Sequence, residues 1–131
     1  MIYVLDTHAF VWWATGGRRL GRGAARIFSR AQRGLDELRL PSVAAFEVAL
    51  LVERGRVKTA RPWRQWLEAL ESTPGLKVEP LLLADVARAR DLGALVDPFD
   101  RLVAATALRL ECALITADER VTESGLVPVA W

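Results

Sequence analysis

Short apolar runs of strand length alternate with stretches of helical period along the whole chain, and this alternation limits the folds open to it. "IYVL" (2–5) reads as a buried strand, and the apolar "AFVWWA" helix after it ends at "TGG". Residues 21–34 carry a basic helical pattern. "LRLPS" (38–42) is a short strand leading into a helix over about 42–54, which Gly55 stops. In "PWRQWLEALE" (62–71) Pro62 stands at a helix start, where proline is tolerated, and Trp63, Trp66, Leu67 and Leu70 share one face. A strand is expected at 76–81, a helix over 83–95, another from Pro98 to about 110, and a strand at 113–116. After a short helix a final strand covers 126–130, at an edge because Pro128 cannot donate to a ladder. Strands separated by helices pair in parallel and bury both faces of their sheet. The expected fold is α/β, with a central parallel sheet of four to five strands and helices on both faces.

The chain has 131 residues, enough for one domain with a sizeable core, so 1–131 is read as a single unit. At 52% hydrophobic and 26% charged it is globular in composition. No apolar run approaches the ~20 residues of a membrane span. The start "MIYVLDTH" has neither a basic flank nor a cleavage site, so a soluble, cytoplasmic protein without a membrane role is expected. Net charge is only +2, yet Lys58 and Lys77 are the sole lysines, leaving 16 of 18 basic residues as Arg. Arginine suits bidentate phosphate contacts, although a GC-rich genome gives the same bias. Cys112 is the only cysteine and is expected to pack as a small hydrophobe.

Four acids stand where a bland role explains them incompletely. Asp6 ends the first strand, and ligands of parallel sheets bind beyond the carboxyl ends of strands, though Asp is also a favoured helix cap. Glu47 has Val43, Ala44, Leu50 and Leu51 at i−4, i−3, i+3 and i+4, which sets it on the apolar stripe of its helix. A carboxylate there needs a proton, a cation or an ion pair with an Arg. In "DPFDRLVAATA" (97–107), Asp97 suits the N-cap and Pro98 the first helical position. Asp100 then lies along Val103 and Ala104, facing the core. Asp118 follows the strand "ALIT", and Thr116 beside it could donate a hydroxyl hydrogen bond to a neighbouring carboxylate.

A parallel sheet could gather these four at one edge. Carboxylates so close together could not all stay ionised without a counter-charge, and oxygen-only ligands favour Mg²⁺ or Mn²⁺ over Zn²⁺. Such an ion keeps waters and is completed by substrate phosphate, which suits hydrolysis of a phosphodiester. No Walker-type loop and no nucleophilic Ser or Cys setting is present. A phosphoaspartyl phosphatase would need a second Asp where Asp6-Thr7-His8 has His8, and a receiver domain would need a Lys at the end of a late strand. A non-enzymatic α/β module, its acids serving only as caps and ion pairs, remains the alternative.

These residues resemble a known pattern. "VLDTHAFVWW", the acid after "LPSVAAFE", "DPFDRLVAATAL" and "LITADE" together resemble the PIN-domain ribonucleases, and among them the VapC-type toxins of prokaryotic toxin–antitoxin pairs. The likeness spans essentially the whole chain. It implies a single PIN-like domain and cleavage of an RNA substrate with Mg²⁺ or Mn²⁺. It also implies a homodimer and inhibition by a small antitoxin. Position by position, the family's acidic metal-binding quartet falls on Asp6, Glu47, Asp100 and Asp118. Asp6, Glu47 and Asp100 would then hold the metal, while Asp118 positions a second metal or the water. Asp97, Thr7 and Thr116 would be accessory, and Glu119 competes with Asp118 for the fourth place. A catalytically silent or housekeeping PIN-like module would carry the same acids.

Weaker signals accompany them. Arg22, Arg26, Arg30 and Arg33 are spaced 4, 4 and 3 apart and make one stripe, either an RNA-backbone track or a solvated helix face. His8 reads as structural rather than as a ligand, because it lacks the partners of a transition-metal site. The Trp63 and Trp66 face is core or a partner contact. Trp12 and Trp13 are adjacent and cannot share a helix face, so one of them is expected near the acids.

Overall fold

The computed structural model describes residues 1–131. Its elements are β1 (Ile2–Leu5), α1 (Thr7–Ala14), α2 (Arg22–Gln32), β2 (Glu37–Pro41), α3 (Ser42–Glu53) and α4 (Trp63–Ser72). They continue as β3 (Leu76–Glu79), α5 (Leu83–Arg90), α6 (Pro98–Arg109), β4 (Ala113–Ile115), α7 (Glu119–Ser124) and β5 (Val129–Ala130). All five strands are parallel and lie in the order β3-β2-β1-β4-β5. The parallel α/β sheet expected from the alternation is present, and β5 is an edge strand, as Pro128 requires.

Several element boundaries differ from the expected ones, three of them for a clear physical reason. β5 is shorter than 126–130, because only Val129 and Ala130 are in register with β4, opposite Leu114 and Ile115. β3 ends at Glu79, where Pro80 removes the next donor. α5 ends at Arg90 instead of running to 95. Gly93 weakens any continuation, and a turn over 92–95, closed by the Leu95 N–H on the Leu92 carbonyl at 3.0 Å, buries both leucines.

From β1 the chain steps outward to β2 and β3, then crosses back to β4 on the other side of β1 and continues to β5. Parallel crossovers are right-handed, so connections running in opposite directions lie on opposite faces of the sheet. The loops leaving β1 and β4 therefore diverge, and a crevice opens beyond their carboxyl ends. Helix α6 packs on both strands. Ala104, Ala105 and Ala107 are fully buried in it, and their small side chains permit that close approach.

Two glycine positions depend on the missing Cβ. Gly75 has φ +77°, and a methyl there would collide with the Ala31 carbonyl of α2. A Cβ on Gly21 would stand 2.7 Å from the backbone of Trp131, whose ring meets Trp12 edge-on at 5.6 Å. The sheet's end and the start of α2 are thereby packed next to α1.

A chain of charges links the elements on the β3 side. Asp85, fully buried in the first turn of α5, accepts the Leu82 N–H at 2.9 Å and the Arg109 guanidinium at 2.7 and 3.2 Å. Arg109 also meets Glu79 at 3.0 Å, Glu79 meets Arg39 at 2.7 Å, and Glu37 joins Arg39 to Lys77, the latter at 2.9 Å. Removing one partner from a buried pair leaves the other charge uncompensated. Arg109→Met is therefore expected to lower the unfolding free energy by about 3–5 kcal/mol in urea denaturation, and adding Asp85→Leu to recover most of that loss.

Candidate active site

One cavity of about 360 Å³ is lined by Asp6, Glu47, Asp97, Asp100 and Asp118 together with Thr7, His8, Trp12 and Arg120. Asp6 follows β1 and Asp118 comes shortly after the adjacent β4, while Glu47 projects from α3 and Asp100 from the first turn of α6. The four acids of the expected quartet thus share one cleft.

Asp6 is the N-cap of α1. Its Oδ1 accepts the Ala9 N–H at 2.7 Å, and its Oδ2 accepts the Thr116 hydroxyl. Burial raises its pKa above the usual carboxylate value, against the lowering effect of those two donors. Thr116 is itself buried, and its hydroxyl oxygen also accepts the Asp118 N–H at 3.0 Å. Asp118 caps α7 by accepting the Arg120 N–H at 2.9 Å. The Arg120 guanidinium reaches both Asp118 oxygens, at 3.3 and 3.1 Å, and holds that carboxyl below its ordinary range. Glu119 is exposed and is not part of the cavity wall, whereas Asp118 is.

Glu47 differs from its expected environment. It is half-buried, and the buried stripe of α3 is Ala44, Ala45 and Val48, one residue round from the stripe drawn through Glu47. No Arg pairs with it; the Thr7 hydroxyl donates to its Oε1. Thr7, the first residue of α1, therefore fixes the Glu47 carboxylate just as Thr116 fixes that of Asp6.

Asp97 is the N-cap of α6 and accepts the Asp100 N–H at 3.1 Å, with Pro98 at the first helical position. Asp100 has the strongest electrostatic signature of the group. Its pKa is pushed up to about 7, first by burial and then by the charges of Asp97, Asp118, Glu47 and Asp6. Every one of these influences disfavours its ionised form, and a cation in the cleft would oppose them.

The donors are carboxylate and hydroxyl oxygens, the set expected of a hard divalent ion. No group of three or more His, Cys, Asp or Glu side chains is close enough to cage an ion directly.

Outside the acids the expectations divide. Trp12 lines the cavity, whereas Trp13 stacks on Phe28 at 4.9 Å and meets Phe10 edge-on. His8 also lines the cavity and is exposed. Trp63 stacks on Trp66 at 4.6 Å, and Trp66 packs on Phe10; Leu67, expected on that face, is exposed because the buried stripe continues to Leu70 instead. None of Arg22, Arg26, Arg30 and Arg33 lines the cavity. Arg30 is committed to buried Asp36 at 2.7 Å, while the other three are exposed. Arg120 was not singled out from the sequence. Its signal was its place two residues after a capping Asp, within side-chain reach of the cap.

Residues 3–124 match the PIN domain family. The chain is 34% identical over 119 residues to Ribonuclease VapC22 of Mycobacterium tuberculosis, covering 90% of this chain and 88% of that protein. Its fold is similar to that of VapBC2 from Rickettsia felis, solved bound to a DNA fragment from their promoter. That likeness has a TM-score of 0.70 at 15% identity and covers 98% of this chain and 97% of that one. DNA-bound VapBC from Salmonella typhimurium gives 0.69 at 14% identity, with 98% and 96% covered. FitAcB from Neisseria gonorrhoeae gives 0.63 at 19%, with the same coverage. At such identities the structural likeness is one of fold.

The raised pKa of Asp100 couples the stability of the fold to pH. Its folded pKa of about 7 lies above the ordinary value, so between roughly pH 4 and 7 the folded protein holds a proton that the unfolded chain releases. Its contribution is complete below pH 4 and is lost as pH rises through 7. In metal-free buffer at pH 8, Asp100→Asn is expected to stabilise the fold by roughly 1–2 kcal/mol, after allowing for solvent screening. The gain should vanish at pH 4, as read from thermal melts at both values.

Proposed function

The chain belongs to the PIN-domain family, and from that premise we propose that it is a metal-dependent endoribonuclease, the toxin of a VapBC-type toxin–antitoxin pair. The observation that carries this reading is the meeting of Asp6, Glu47, Asp100 and Asp118, from four separate elements, around one cavity. The proposed cofactor is Mg²⁺ or Mn²⁺, since the donors lining the cavity are carboxylate and hydroxyl oxygens. When bound, such an ion lowers the pKa of nearby water and offsets charge on the phosphoryl oxygens.

The roles of the chain's own residues follow from their contacts. Asp6, Glu47 and Asp100 form the ion-holding set, and Asp118, joined to Asp6 through Thr116, orients either a second ion or the attacking water. Thr116 and Thr7 restrict the rotation of the Asp6 and Glu47 carboxylates by donating to them. Asp97 fixes the first turn of α6 and with it the direction of Asp100. Arg120 brings a guanidinium into an otherwise acidic wall, where it can meet a phosphate oxygen once a substrate competes with Asp118 for it.

The proposed partners are RNA, an antitoxin and a second copy of the chain. The VapBC structures similar in fold are complexes by their descriptions, which supports the antitoxin. An apolar groove of about 190 Å³ beside α1, lined by Phe10, Val11, Val48, Val57 and Trp66, suits an apolar segment of such a protein. Exposed Phe46, Leu83, Val86 and Val96 offer a second copy apolar surface. The unpaired Arg22, Arg26 and Arg33 of the α2 region are candidates for outer contacts with the RNA backbone. No helix is long and apolar enough to cross a membrane, in keeping with a proposed cytoplasmic site of action.

Purified protein is expected to cut total RNA with Mn²⁺ or Mg²⁺ and not with EDTA. Asp100→Asn should lower the rate at least a hundredfold while the circular dichroism spectrum stays native. Cleavage by Asp100→Asn at the wild-type rate would sink the assignment. A separate readout is the thermal melt: Mn²⁺ at about 100 times its Kd should add roughly 2.7 kcal/mol of stability, and Asp100→Asn should lose most of that increment.

A further inference from the structure

A polyanionic substrate meets an electrostatic problem at this cleft, because carboxylates that recruit a cation repel the phosphates flanking the one to be cut. The remedy lies next door. A groove of about 450 Å³ runs beside the acidic cavity and carries Arg18, Arg19, Arg56 and Lys58. All four are exposed, and none takes part in an ion pair. They come from two separate segments, the turn after α1 and the turn after α3, so the cluster is made by the fold and not by a charge run. One side chain, Trp12, belongs to the walls of both the groove and the acidic cavity. Its ring is half-buried, has Arg19 above it at 5.7 Å from the ring centre, and is held from the side by Trp131.

We propose that this groove is the seat for single-stranded RNA next to the scissile phosphate, with Trp12 as the stacking platform for one base and Arg18, Arg19, Arg56 and Lys58 as partners of the adjoining phosphates. A basic groove interleaved with an aromatic ring is what a single strand needs, since every base has a face to stack and every linkage a charge to neutralise. Arg19 completes the platform: a guanidinium already lying over the indole can stay in contact with a base sliding onto the ring while it turns a donor to the phosphate. A duplex cannot use the platform, because its bases are stacked on one another. The proposal rests on the ribonuclease reading of the acidic cavity and assigns the residues that seat the strand and its direction of approach. The groove, and not the arginine stripe of α2, is then the principal RNA contact.

The test measures binding separately from cleavage. Asp100→Asn protein is titrated against a fluorescent 12-nucleotide RNA of mixed sequence, by anisotropy, over a range of salt concentrations. Adding Arg56→Gln and Lys58→Gln should weaken binding at least tenfold and make the slope of log K against log salt shallower by about 1.4, at roughly 0.7 per lost phosphate contact on a single strand. Adding Arg22→Gln and Arg26→Gln instead removes the same charge outside the groove and should have a clearly smaller effect. Trp12→Leu should weaken binding about tenfold and Trp12→Phe should restore most of it, whereas the affinity for a duplex of the same sequence should not follow Trp12. Equal losses from the two double variants, or an RNA affinity indifferent to Trp12→Leu in a protein with a native melt, would overturn the groove. Neither result touches the ribonuclease reading, which stands or falls on RNA cleavage by the unmodified protein with Mn²⁺ and on its loss in Asp100→Asn.

Discussion

The Thr116 hydroxyl donates to the Asp6 carboxylate and at the same time accepts the Asp118 N–H, so one small buried side chain joins the ends of β1 and β4 to the start of α7. Around that junction the other acids are arranged. Like charges brought together repel, and the protein offsets this locally, acid by acid: Asp6 takes two donors, Glu47 takes the Thr7 hydroxyl, and Asp118 takes Arg120. Asp100 is the exception. Its carboxyl is left to burial and to its neighbours' charges, and its pKa of about 7 records the cost. A cation bound there, as proposed above, would oppose both the burial and the repulsion that disfavour this carboxylate.

Such a site must be held by elements that cannot relax away from one another. Helix α6 supplies the rigidity. At its start Asp97 and Pro98 fix the turn that carries Asp100, and at its end Arg109 is clamped between buried Asp85 and Glu79. Between these ends, buried alanines press the helix onto β1 and β4. The ionic chain from Asp85 to Lys77 lies away from the cleft, yet it anchors the same helix that aims Asp100. Repulsion within the cleft is thus opposed by packing along a whole helix.

Much of this could be read along the chain, for reasons of local physics. Strand-length apolar runs and helical periods are local, so the parallel α/β sheet and its edge strand emerged from them. The cap at Asp97 is local too, because Asp, Pro and the spacing to Asp100 lie within four residues. The divergence of Trp12 and Trp13 follows from helix geometry alone. Where a reading depended on what lay opposite, it failed or stayed open. Glu47 borders the cleft with the other acids, yet it is half-buried, one residue round from the apolar stripe that its spacing predicts, and its partner is the Thr7 hydroxyl and not an Arg. Buried acids paired with arginine do exist, but elsewhere: the most buried of them, Asp85, meets Arg109, and neither position looks unusual in sequence. Arg30 fitted a surface stripe by spacing until the fold set Asp36 beside it.

The sequence by itself determined the alternation of strands and helices, the kind of residue at each strand end, and the family pattern of four acids in order. Periodicity, capping and residue type are all written within a few neighbouring positions. The tertiary structure alone decided that β4 returns to lie beside β1, because strand order is a matter of crossovers that no local pattern encodes. That single adjacency brings Asp118 within a hydroxyl's reach of Asp6. It also took folding to set Arg18 and Arg19 beside Arg56 and Lys58, with Trp12 between them and the acids, since charges nearly forty residues apart become one surface only when α1 and α3 are packed together.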